Sequence, residues 1–112
     1  DVTMQAELRP ADWDEMAAYG NRCGGLIREL FACAWRSVQT VGLTGVAQHD
    51  SCPVLYLAHP ELFSGWQASV EVVRTGERMG QTVCTPGGNV LVLDRVDLPR
   101  YQQCLLAGLR TL

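Results

Sequence analysis

The chain has 112 residues, 47% of them hydrophobic and 19% charged, and a net charge of −3. That is enough apolar material for one folded core and too much for a disordered chain. All nine basic residues are Arg, and they are scattered rather than clustered with aromatics, which argues against direct nucleic-acid binding.

The complete absence of Lys reads as the codon bias of a GC-rich bacterial genome rather than selection for forked Arg contacts. Five cysteines, at positions 23, 33, 52, 84 and 104, are odd in number and irregular in spacing. They read as reduced thiols used as small hydrophobes in a cytoplasmic protein. The acidic, polar start offers no apolar centre for a signal peptide, and no run is long and apolar enough for a membrane span. A membrane partner is therefore not expected.

Residues 1–10 predict an extended arm. From residue 11 to 41 the spacing is helical: Trp13, Met16, Gly20, Cys23, Ile27, Leu30 and Ala34 recur at steps of three and four. Pro10 suits the first turn, and Asp12, Asp14 and Glu15 suit the positive end of the helix dipole. This long N-terminal helix runs either unbroken or split at Gly24-Gly25, since each internal glycine costs about 1 kcal/mol relative to alanine. A small-residue notch at Gly20, Gly24 and Gly25 predicts tight packing against another helix. After a loop at 44–53, the apolar run 54–58 predicts a buried strand. Residues 66–72 alternate as a half-exposed strand, and 79–83 predict another beyond the turn at Thr75-Gly76-Glu77. Pro86-Gly87-Gly88-Asn89 is a turn leading into a strand at 90–93. Asp97 and Pro99 open a C-terminal helix carrying Leu98, Tyr101, Leu105, Gly108, Leu109 and Leu112 on one face. The expected architecture is a single α+β domain over residues 1–112, with a four-strand, mainly antiparallel sheet.

Few residues suggest chemistry. His49, Cys52 and His59, with Asp50 as a fourth group, have the look of a fragment of a metal site. However, there is no CxxC pair, and Pro53 follows Cys52 directly. Cys52 near a histidine matches no cysteine-enzyme signature. The glycines at 87 and 88 lie between strands, and no Lys is available for a phosphate loop. No cofactor motif is present, and no catalytic residue is assigned. The stronger signal is the breadth of the apolar surface on the long helix. Leu26, Leu30, Phe31, Trp35 and Val38, with Trp13, cover more than one stripe, so one side needs a second cover.

The chain's size, its acidity, the apolar helix over 26–41 and the Arg-only composition together resemble a QslA-type anti-activator of quorum sensing. That resemblance implies a non-enzymatic, homodimeric regulator. It would bind a LuxR-type transcriptional activator through Leu26, Leu30, Phe31, Trp35, Val38 and Trp13 and block its dimerisation. Two other expectations stand beside it. One is an immunity protein or secretion chaperone for a toxin or effector. The other is a small metal-binding domain or enzyme using His49, Cys52 and His59.

Overall fold

A computed structural model describes residues 2–112. Two helices, α2 (Pro10–Ala18) and α3 (Arg22–Gln39), occupy the region of the helical repeat. The chain breaks between them at Gly20, where φ is +70°, a left-handed conformation that glycine adopts without strain. The break thus falls one turn before Gly24-Gly25, and those two glycines lie inside α3. Asn21 caps the new helix, its side-chain oxygen accepting from the Gly24 N–H at 2.8 Å, which satisfies one of the first-turn donors.

Of the three glycines of the expected notch only Gly24 sits in a close helix contact, and the helix that meets it belongs to the same chain. α2 folds back on α3 so closely that a methyl group on Gly24 would run into the carbonyl oxygen of Met16. Trp13 and Met16 are buried in this contact. The Trp13 ring stacks on Phe31 with centroids 5.4 Å apart and leans against Trp35 at 5.9 Å.

Residues 2–8, expected as an extended arm, instead form a helical turn, α1 (Val2–Gln5), and a two-residue strand, β1 (Glu7–Leu8). β1 pairs antiparallel with β2 (Val46–Ala47). The expected strand at 54–58 is a helix, α4 (Ser51–Ala58). A short apolar run fits a buried strand or a buried helix equally well. Pro53 decides for the helix, because a first helical turn has no use for its missing N–H. A 3-10 turn at Pro60–Leu62 follows.

The sheet has three strands rather than four, in the order β4-β3-β5, antiparallel throughout. Its strands are β3 (Phe63–Val72), β4 (Thr82–Pro86) and β5 (Val90–Val96). β4 begins three residues later than expected, because Met79 and Gly80 still belong to the connecting turn, with Gly80 at φ +89°. Gly87 and Gly88 turn the chain into β5 at φ +89° and +114°. The register of β3 and β5 slips beside Gly65. There the β5 backbone passes where a side chain would have to sit, as at a β-bulge.

α5 (Leu98–Arg110) closes the fold, and Asp97 caps it by accepting from the Arg100 N–H at 3.3 Å. One buried cluster gathers Ala6, Cys52, Leu55, Leu62, Phe63 and Tyr101. A second gathers Leu8, Trp13 and Met16. Leu105 of α5 packs against both.

The two neighbouring glycines of α3 give a stability test of opposite sign. Gly24→Ala should lower unfolding free energy by about 1–3 kcal/mol through overpacking against α2. Gly25 faces open space, so Gly25→Ala should raise it by up to about 1 kcal/mol. Urea unfolding of the two variants measures both.

Candidate active site

The loop between β2 and α4 carries two adjacent titratable residues, His49 and Asp50, both exposed. The backbone beneath them is held firmly. The Gln48 N–H donates to the Ala6 carbonyl at 2.7 Å, and the Gln48 carbonyl accepts from the Cys52 thiol at 2.9 Å. The Gln48 side-chain amide closes on the Val46 carbonyl at 2.9 Å. Exposed groups on a clamped loop are where a rigid scaffold usually presents its chemistry.

His49 Nδ1 lies 3.0 Å from the Thr3 hydroxyl of α1. That contact orients the ring and leaves Nε2 without a protein partner among the described residues. Asp50 stands at the N-cap of α4 and yet makes no side-chain capping bond. An Asp there ordinarily accepts from the first-turn N–H groups, so this carboxylate is not committed to the helix.

Ser51 and Cys52 follow in the first turn of α4 and point the opposite way. The Ser51 hydroxyl meets the Tyr101 hydroxyl at 2.7 Å. The buried Cys52 sulfur lies 3.9 Å from the same Tyr101 oxygen. Burial pushes the Cys52 thiol above its ordinary range, against a smaller lowering by Tyr101. Burial likewise drives the Tyr101 phenol far upward, with the Ser51 hydrogen bond opposing. Cys52 is therefore a protonated, inward-facing thiol, unsuited to nucleophilic attack at neutral pH.

The trio His49, Cys52 and His59 is not assembled. Between His49 and His59 runs the whole of α4, eight residues and about 12 Å long by helical rise, and His59 pairs with Glu61 at 3.4 Å. Among the described residues no group of three or more His, Cys, Asp or Glu is placed to hold a metal ion. The metal-site expectation is corrected on that geometry. Of these four groups only the sequence neighbours His49 and Asp50 stand together in the open on the loop.

The apolar residues expected to bind a partner divide in two. Trp13 is only 4% exposed, and Phe31 and Trp35 pack against it. Val38 is half-buried. Leu26 and Leu30 remain open, at 59% and 60%.

Comparison with known proteins gives the chain's family. The family model described as inosine-uridine preferring nucleoside hydrolase matches residues 1–103. The chain belongs to the nucleoside hydrolase family. It is 31% identical over 120 aligned residues to the pyrimidine-specific ribonucleoside hydrolase RihA of Shewanella woodyi, covering 99% of this chain and 38% of that protein. It is 33% identical over 86 residues to the enzyme of the same name from Klebsiella pneumoniae, covering 74% of this chain and 28% of that protein. The fold superposes on the purine-preferring ribonucleoside hydrolase from Gardnerella vaginalis with a TM-score of 0.88 at 19% identity, over 98% of this chain and 37% of that one. The chain thus spans about a third of the length of the curated relatives it matches.

Membership in a hydrolase family overturns the non-enzymatic reading. The QslA-type resemblance, the LuxR-type activator as partner and the immunity or chaperone role all fall with it. The resemblance rested on size, charge and one apolar helix, which many unrelated small proteins share. As for a membrane, no helix among the described residues is long and apolar enough to cross one.

The two buried groups beneath the loop predict a pH dependence. The stability gained by keeping Cys52 and Tyr101 protonated is complete below their ordinary values of 9.0 and 10.0. It is lost as pH climbs through those values toward the raised folded ones, because only the unfolded chain ionises there. Urea midpoints should hold level to about pH 8.5 and then decline, and Tyr101→Phe should flatten the part of the decline above about pH 10.

Proposed function

We propose that this chain contributes His49 and Asp50 to the active site of a ribonucleoside hydrolase, which splits a ribonucleoside with water into ribose and free base. The observation that carries this is the exposed imidazole beside a carboxylate that does not cap its own helix, on a chain of this family.

The reaction makes two demands. The base leaves with the electron pair of the C–N bond and needs a proton. The sugar meanwhile builds positive charge near the anomeric carbon, as in other glycoside hydrolyses. An imidazole held through Nδ1 with Nε2 open suits proton donation to the departing base at neutral pH. The neighbouring carboxylate suits hydrogen bonds from the ribose hydroxyls and offsets the developing charge. Water adds its hydroxyl to the anomeric carbon, and its remaining proton restores the imidazole.

The relatives' names differ in base preference, so the substrate class assigned here is the ribonucleoside without a choice of base. Reduced thiols at all five cysteines fit a cytoplasmic setting. The open Leu26 and Leu30 edge of α3, with Phe31, Trp35, Val38 and Trp13 beneath it, is assigned to contact with further polypeptide of the hydrolase fold.

Ribose release from uridine and inosine by the purified protein tests the reading. His49→Gln should reduce kcat at least about a hundredfold, the usual scale of a lost general acid. Melting temperature should stay nearly constant, because the ring is exposed. No ribose from the wild-type protein, or an undiminished rate in the variant, would overturn the assignment.

A further inference from the structure

Tyr101 is completely buried in the cluster under the loop. Its ring meets Phe63 edge-on at 6.2 Å, a contact a phenylalanine would make equally well. The hydroxyl is the unusual part. Burying a phenol oxygen is costly unless it is hydrogen-bonded, and the partner it finds is Ser51, at 2.7 Å.

Ser51 directly follows Asp50, and Cys52, 3.9 Å from the same oxygen, bonds back to the Gln48 carbonyl. The two residues that could carry the chemistry are therefore flanked on both sides by groups tied to one buried hydroxyl. The other side of the loop is tied to the N-terminal segment, through Ala6 and through Thr3 of α1. Without the phenol oxygen the start of α4 would lose the hydrogen bond that ties it to α5 through Ser51.

We propose that Tyr101 is a positioning residue, whose hydroxyl fixes the His49–Asp50 loop against α5 through Ser51. It touches no substrate. Its effect on turnover rests on the hydrolase reading above, but its effect on the loop does not.

The test uses Tyr101→Phe and Ser51→Ala, separately and together. The first readout is the NMR signal of the His49 imidazole Cε1–H, with His59 at the far end of α4 as internal reference. Both single variants should move or split the His49 signal by a similar amount and leave His59 in place. The double variant should add little, as expected for two ends of one interaction. The second readout is kinetic. Tyr101→Phe should lower kcat about tenfold while KM changes less than twofold, in keeping with the sensitivity of rate to small misplacements.

A His49 signal that superimposes on wild type in both single variants would overturn the proposal. Should Tyr101→Phe fail to fold, Ser51→Ala alone decides it by the same signal. Should the wild-type protein release no ribose, the hydrolase reading fails while the NMR comparison still decides the positioning role.

Discussion

A phenol sealed away from water must find its hydrogen bond inside the protein, and much of this fold is organised around meeting that need for Tyr101. The partner is the first turn of α4, so α4 must start where α5 can reach it. The remaining polar reach of α5 works the same way. The Gln102 amide donates to the Glu7 carbonyl at 2.9 Å, and the Leu109 carbonyl accepts from Asn21 at 2.8 Å. A single helix thereby fastens the β1 strand, the start of α3 and the start of α4. Each bond contributes modestly, about 1 kcal/mol net, but breaking the one at Tyr101 would also leave a buried hydroxyl unpaired. The asymmetry makes α5 a frame rather than a cover.

That frame explains how exposed residues can be well placed. His49 and Asp50 project into solvent, yet the Gln48 backbone before them is bonded to the Ala6 carbonyl and the Cys52 thiol, and Ser51 after them reaches the buried Tyr101 hydroxyl with its side chain. A site of this kind separates its tasks. The inward-facing residues of the loop, Ser51 and Cys52, do the holding, and the outward-facing ones are left uncommitted. Asp50 shows the separation most plainly, since it occupies a capping position and does not cap.

Some of this was legible in the sequence. The turn at residues 86–89 and the Asp97-Pro99 helix start carry local rules strong enough to survive any tertiary setting, and both stand. The helical repeat was equally visible, but the position of its break was not. Gly20 breaks because α2 must fold back on α3, which no local pattern records. Gly24 tolerates the helix because its missing side chain lets Met16 approach. At 54–58 the apolar run was too short to have a period, and Pro53 was the overlooked signal. Spacing groups His49 and Asp50 with Cys52, which points inward, and with His59, which lies beyond the far end of α4. In the sequence Tyr101 is one residue on the apolar face of a helix, and nothing local shows that its hydroxyl is buried. The broad apolar surface on α3 suggests a protein partner, but Trp13 of α2 covers Phe31 and Trp35 within the same chain.

Cys52 gives the loop's footing an optical handle. Its sulfur is sealed beneath residues 48–50, while Cys33 stands in the open on α3. A thiol reagent reaches the first only when the loop lifts from its seat, and the second at any time. The ratio of the two labelling rates is then an opening equilibrium of the loop at residues 48–50, written into the chain by a residue that lies beneath it.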